Sequence, residues 1–319
     1  MNKISVVYFA TPDIAIESFL SLINDGNFIV KALVTQPSKP SDRGKKITDS
    51  KIKKEAIKNN IKVFEPYKIS KDEDTIKELK AIAPDFFVTF AYGQILSKEV
   101  LEIPKFQTIN LHASLLPKYR GANPICECLL NGDKITGITT MVTVLELDAG
   151  DICLTKEINL NDEDNYETLS EKIAKESPEL IKQTLTGLYN STLQPVKQNP
   201  ECATFTKKMT KADKDINFND NAIKIHNKVR AMCKINTNHF IYNNKIIKVL
   251  KTEAKENNDF IPAGSVISVN KEGILIKCKT GAILIITVKP EGKNIMSAYD
   301  WSLGSKIKSG DKILCKQEE

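Results

Sequence analysis

In FQTINLH (Phe106–His112) an asparagine and a histidine stand two residues apart where an apolar run ends. Strand side chains alternate faces, so Thr108, Asn110 and His112 share one face while Ile109 and Leu111 share the other. An amide donor beside an imidazole suits a carbonyl oxygen that gains negative charge and a proton in transit. The same pair also reads as a polar strand end that satisfies loop backbone. Further on, LDAGD (Leu147–Asp151) sets a carboxylate, Asp148, ahead of a glycine. A carboxylate beside His112 would fix its tautomer and raise its pKa, and Asp148 suits an ordinary turn equally well. A third candidate is QPSKPSDRGKK (Gln36–Lys46), in which Arg43, Lys45 and Lys46 surround a glycine. A basic finger of this kind reaches a phosphate backbone or stays a solvated loop.

The elements that must carry these residues follow from periodicity. ISVVYFA, FIVKALVT, IKVFEP, FFVTFAY and FQTINLH read as strands, interleaved with helical patterns over 14–23 and 71–83. Near-continuous apolar strands alternating with helices predict an α/β fold with a mostly parallel, doubly wound sheet. Such sheets hold ligands at the carboxyl ends of their strands, where Asn110 and His112 fall. GITTMVTVLELDAGDICL predicts a strand, a turn at Asp148–Gly150 and another strand. A helix follows over 165–185, where Ser177-Pro178-Glu179 predicts a cap and restart. Beyond a polar, proline-bearing stretch, one helix over 220–232 precedes short strands separated by Asn-Asn, Lys-Glu-Gly and Thr-Gly turns. This predicts a small C-terminal β-barrel. The expected domains are 1–189, a linker 190–207, and 208–319.

Charge divides along the same line. From Thr206 onward there are 21 Lys and Arg against 12 Asp and Glu, whereas residues 1–205 carry 25 against 28. A basic C-terminal third points to a partner bearing phosphates. No run approaches the roughly 18 apolar residues of a membrane helix, and the N-terminus reads as a strand rather than a signal peptide, so no membrane association and a cytoplasmic location are expected. Seven cysteines, single apart from Cys126 and Cys128, read as reduced and mostly buried thiols, and no metal site is expected.

Taken in order, YFATPD, TQPSKPSDRGKK with Ser50–Lys53, AYGQIL (Ala91–Leu96), INLHASLLPKYRGANPI (Ile109–Ile125), LDAGDI and KPEGKNIMSAYDW resemble the motifs of the methionyl-tRNA formyltransferase family. The resemblance spans nearly the whole chain. It implies a Rossmann-like formyltransferase domain followed by an OB-fold-like domain, and transfer of a formyl group from 10-formyltetrahydrofolate to the amino group of initiator methionyl-tRNA. Carried onto this chain, it makes Asn110, His112 and Asp148 catalytic. It puts Ser114, Leu115, Leu116 and Pro117 against the folate, with the pterin near AYGQIL and LDAGD, and Arg43, Lys45 and Lys46 near the tRNA acceptor end. It also implies a monomer. The sequence departs from the family at Ala10, where a glycine is usual, at Cys126 and Cys128, and over AMCKINTNHF (Ala231–Phe240).

Two other readings share the asparagine, histidine and aspartate. One is a folate-dependent formyltransferase or hydrolase acting on a sugar nucleotide or another small molecule, for which a basic finger has no use. The other is a non-catalytic RNA-binding protein on the same fold, for which the three residues have no use.

Overall fold

A computed structural model of the chain describes residues 3–41, 46–207, 210, 212–233 and 237–313. The chain divides into two compact units. Residues 1–124, 134–160 and 169–206 form the first, and 125–133, 161–168 and 207–319 form the second.

In chain order the first part runs β1 (Ile4–Ala10), α1 (Ile16–Ile23), β2 (Phe28–Val34), β3 (Lys39–Ser41), β4 (Lys46–Thr48), α2 (Lys51–Lys58), β5 (Lys62–Phe64), α3 (Glu73–Ile82), β6 (Phe86–Phe90), α4 (Lys98–Leu101), β7 (Gln107–His112), α5 (Pro124–Asn131), β8 (Ile135–Val142), β9 (Ile152–Asn159) and α6 (Tyr166–Tyr189). Seven strands form one sheet in the order β5-β2-β1-β6-β7-β8-β9. From β5 to β7 neighbours are parallel, and β8 and β9 turn the far edge antiparallel. The inner strands are buried on both sides, with Val6, Val7, Phe9, Phe86, Phe87 and Val88 fully enclosed. That is why they read as unbroken apolar runs instead of alternating ones. The chain steps outward from β1 through β2 to β5 and then resumes on the other side of β1 with β6. This switch point leaves a crevice at the carboxyl ends of the central strands.

On either side of residues 42–45 of the expected finger, which lie outside the described residues, β3 pairs antiparallel with β4. Helix α6 does not restart at Pro178 but runs through it. Proline has no N–H for the carbonyl four residues back. The Ser177 hydroxyl donates to that Ala174 carbonyl at 2.7 Å instead, which removes the reason to break.

The second unit contains α7 (Ala222–Met232), β10 (His239–Tyr242), β11 (Lys245–Lys255), β12 (Val266–Asn270), β13 (Gly273–Lys277), β14 (Ala282–Pro290), β15 (Met296–Ser297) and α8 (Ala298–Ser305). Its antiparallel sheet runs β10-β11-β14-β13-β12, with β15 on β14. Asn243 and Asn244 both have positive φ, the backbone of the tight β10–β11 turn. Phe218, Phe240 and Trp301 stack edge to face in a core shared by sheet and helices.

The second unit resumes at 207, beside the expected domain start at 208, and it also takes in 125–133 and 161–168 from earlier in the chain. Within the second unit the buried Arg230 of α7 donates to the carbonyls of Asn161 and Asp164, and the Cys126 thiol donates to the Ala231 carbonyl. These bonds gather 125–133 and 161–168 with the C-terminal sheet. The stretch expected as a linker is irregular but not slack. Val196 and Ile152 exchange two backbone hydrogen bonds, so the segment extends the β9 edge of the first unit.

Candidate active site

Strand β7 lies between β6 and β8, with Asn110 opposite Thr89 on one side and Met141 on the other. The Thr89 hydroxyl donates to Asn110 Oδ1 at 2.8 Å. This engages the acceptor end of the amide and leaves its NH2 group as the free-standing donor. Two residues on, His112 is buried, and its Nε2 lies 2.9 Å from the Tyr119 carbonyl. A carbonyl only accepts, so Nε2 carries a hydrogen, and in the neutral ring Nδ1 is a lone pair.

Asp148 Oδ2 stands 3.7 Å from that Nδ1. The separation is too long for a direct hydrogen bond. Two acceptors therefore face one another across a gap, an arrangement that suits a proton donor entering between them. The expected rise in the His112 pKa does not occur. Burial pushes the imidazole below its ordinary value and outweighs the charge of Asp148 and the Tyr119 carbonyl, which both act upward. His112 is thus neutral at neutral pH, with Nδ1 ready to accept a proton.

Backbone geometry holds the carboxylate. Asp148 adopts a left-handed conformation with φ +49°, which aspartate tolerates better than most residues. Its Oδ2 accepts the Gly121 N–H at 2.7 Å. At Gly150 any side chain would run into the Val142 carbonyl oxygen, so the turn closes only with glycine.

The loop after His112 is built from within. Ser114 is fully buried and donates its hydroxyl to the Lys118 carbonyl at 2.6 Å, while Thr139 donates to the Ser114 carbonyl at 2.7 Å and accepts from Leu116 N–H at 3.2 Å. Ser114 and Leu116 are buried, whereas Leu115 and Pro117 retain accessible surface. AYGQIL is tied down by Gln94, which accepts from Ile69 N–H and donates to the Pro66 carbonyl. A cleft of about 550 Å³ opens beside it, lined by Tyr67, Lys68, Gly93, Gln94 and Ile95 among others.

Of the basic finger, Arg43 and Lys45 lie outside the described residues, and Lys46 opens β4. The base of the hairpin is anchored. Lys53 Nζ, from the motif that follows the finger, contacts Asp49 at 2.6 Å and Glu65 at 2.8 Å, and Ser38 donates to Asp49 at 2.8 Å. In the second unit, exposed Lys248 and Lys289 stand directly opposite across β11 and β14, and His239 flanks Lys248 on β10. Like charges placed opposite one another oppose pairing, and neither lysine is ion-paired to a described residue.

The sequence alone did not single out Thr89, Tyr119 or Gly121. Thr89 had a signal, as the one polar residue in FFVTF. Tyr119 and Gly121 act through backbone groups, which carry no signal in side-chain type. Among the described residues, no three His, Cys, Asp or Glu side chains are grouped to hold a metal ion. Among the described residues no cysteine is in a disulfide bond, and four of the six are buried.

Residues 2–185 match the family model for formyl transferase, and 208–306 match that for the formyl transferase C-terminal domain. These two matches cover most of the chain and define its class, a transferase for formyl groups. Within that class the chain belongs to the methionyl-tRNA formyltransferase family. The methionyl-tRNA formyltransferase of Thermodesulfovibrio yellowstonii is 43% identical over 305 residues, 96% of this chain and 97% of the relative. That of Mesoplasma florum is 34% identical over 313 residues, 98% and 99% of the two chains. Among solved structures, HypX from Aquifex aeolicus in complex with tetrahydrofolic acid superposes with a TM-score of 0.66 at 14% identity, over 95% of this chain and 48% of that one. WlaRD, a sugar 3N-formyl transferase solved with dTDP and 5-N-formyl-THF, gives 0.66 at 21% identity, over 92% and 100%. At such identities the structural likeness shows the fold alone.

Proposed function

We propose that this chain transfers the formyl group of 10-formyltetrahydrofolate to the amino group of methionine on initiator tRNA, and that Asn110, His112 and Asp148 carry the step. The observation that supports the roles most directly is the His112 ring, with Nε2–H committed to Tyr119 and Nδ1 turned toward Asp148. The donor set fits a formamide and an amine, since the Asn110 NH2 offers hydrogens while Nδ1 and Asp148 Oδ2 take them.

The folate supplies an electrophilic formyl carbon. As the neutral amine forms its bond to that carbon, the carbonyl oxygen gains charge and the Asn110 amide stabilises it by donation. The amine loses one proton, which His112 Nδ1 accepts, and the protonated ring then has donors on both nitrogens. The Asp148 carboxylate stabilises that cation. When the bond between the formyl carbon and the folate nitrogen breaks, His112 returns the proton to the departing nitrogen. One proton leaves the acceptor, one arrives on the donor, and the ring ends as it began. Holding amine and formyl carbon together supplies much of the acceleration.

Ser114–Pro117 contacts the folate, through the accessible side chains of Leu115 and Pro117 and the loop shape that Ser114 sets. Arg43, Lys45 and Lys46 reach the acceptor end of the tRNA. The Lys248–Lys289 row, on a sheet read as OB-fold-like, faces phosphates, which explains why opposed lysines persist there. The chain works as a monomer in the cytoplasm; among the described residues no helix is long and apolar enough to cross a membrane. His112→Ala tests the assignment. Turnover should fall at least on the order of 100-fold with tRNA affinity within about threefold. Equal loss of binding and turnover would make His112 structural.

A further inference from the structure

Three consecutive loop residues each hold a different part of the site. The Tyr119 carbonyl holds His112, the Gly121 N–H holds the Asp148 carboxylate, and between them the Arg120 side chain reaches Gln198. Gln198 Oε1 accepts from Arg120 Nε at 3.1 Å and Nη2 at 2.9 Å. Its Nε2 donates to the Asp148 carbonyl at 2.8 Å and to the Gly150 carbonyl at 2.7 Å. A glutamine amide has two donors and two acceptor lone pairs, and here all are used between two elements.

We propose that Gln198 is a positioning residue for formyl transfer, coupling the Arg120 side chain of the loop over 119–121 to the backbone of the Asp148–Gly150 turn. The proposal rests on the assignment of Asn110, His112 and Asp148 as the catalytic groups. Asp148 is pinned twice, by its carboxylate to Gly121 and by its own carbonyl to Gln198, and the second link decides how far the first can drift. Arg120 is 4% exposed, so its guanidinium needs acceptors. Among the described residues the guanidinium also meets Glu146, 3.6 Å away and mostly solvent-exposed, and the Phe205 ring, 5.9 Å from the guanidinium carbon. Gln198 is thus its closest acceptor among these. The segment that carries Gln198 is itself fixed on both sides. Val196 pairs with Ile152, and Thr204 accepts the Tyr119 N–H through Oγ1 at 2.8 Å and the Arg120 N–H through its carbonyl at 2.8 Å. A segment that reads as a linker therefore splints the catalytic loop.

Steady-state formyl transfer by Q198A and Q198E provides the test. Glutamate keeps two oxygens for Arg120 but turns an oxygen against the Asp148 and Gly150 carbonyls, so it frees the turn while the buried guanidinium stays partnered. Alanine removes both links. We expect kcat to fall on the order of 10- to 100-fold in both variants, with KM for folate and for tRNA within about threefold. In Q198A the acid limb of the kcat profile should also move to lower pH, because a withdrawn Asp148 no longer favours protonated His112. A merely structural role would lower the amplitude and leave that limb in place. Unchanged kcat in Q198E, or an unmoved limb in Q198A, overturns the proposal. If Q198A does not stay folded at the assay temperature, kcat of Q198E at matched folded fraction, read by circular dichroism, decides alone. H112A measured alongside separates the two ideas. Full activity in H112A refutes the catalytic assignment itself, whereas inactive H112A with fully active Q198E refutes only the role of Gln198.

Discussion

His112 is defined by which of its nitrogens is already committed. The Tyr119 carbonyl fixes the proton on Nε2, and burial keeps the ring neutral, so one lone pair is left to act. The charge of Asp148 works against burial and holds the pKa higher than it would otherwise be. Replacing Asp148 by asparagine preserves the left-handed backbone and removes that charge. The His112 pKa then falls further, so the base form survives to lower pH. In D148N the acid limb of kcat should move to lower pH than in the parent, while the plateau drops on the order of 10- to 100-fold. A pH profile of both proteins checks this, and a limb that moves upward would contradict it. At this scale the sequence was partly legible. Asn110 and His112 share a face by the period of two, and Asp148 announces itself ahead of a glycine turn. The direction of the pKa shift was not legible, because it depends on how deeply the ring is enclosed. Nor was the Thr89 hydroxyl that orients Asn110, since cross-strand partners distant in sequence leave no local pattern.

Elements were legible where one face or both faces of a segment are simple. The inner strands announced themselves as apolar runs because the sheet is covered on both sides, and the Asn243-Asn244 turn because two positive φ values suit asparagine. Helix α6 defeated the local rule at Pro178, since the compensating bond comes from the preceding serine. This has a measurable consequence. Ser177→Ala leaves the Ala174 carbonyl without its partner on the buried face of the helix and should destabilise the protein by about 1–3 kcal/mol, with kcat of the folded enzyme unchanged. Adding Pro178→Ala supplies a backbone N–H for that carbonyl, so the S177A/P178A protein should be more stable than S177A. Urea unfolding of the pair tests this, and a double variant no more stable than S177A would show that the hydroxyl does not replace the missing N–H. The stretch over 190–207 shows a related limit of local pattern. Its polar, irregular residues look like a spacer, but they spend their hydrogen bonds on the loop beside the site.

Across the whole molecule, charge is sorted by region. The near-neutral N-terminal part holds the proposed catalytic residues, and the basic C-terminal part sets exposed lysines opposite one another. The split was visible in composition, but which lysines meet was not, because cross-strand register is set by turns and bulges. Lys248→Glu should relieve the repulsion across β11 and β14 and leave stability the same or higher. It should raise KM for tRNA several-fold, lower the dependence of log KM on log salt by about 1–2, and leave the folate KM unchanged. An unaffected tRNA KM would mean that this row faces solvent alone. The central claim concerns the reaction itself. The most direct measurement is transfer of labelled formyl from 10-formyltetrahydrofolate to initiator methionyl-tRNA, with uncharged tRNA as the control. The predicted result is label on the charged species alone and none on the uncharged one. Folate binding without transfer to methionyl-tRNA would contradict the account and point to a different amine as acceptor.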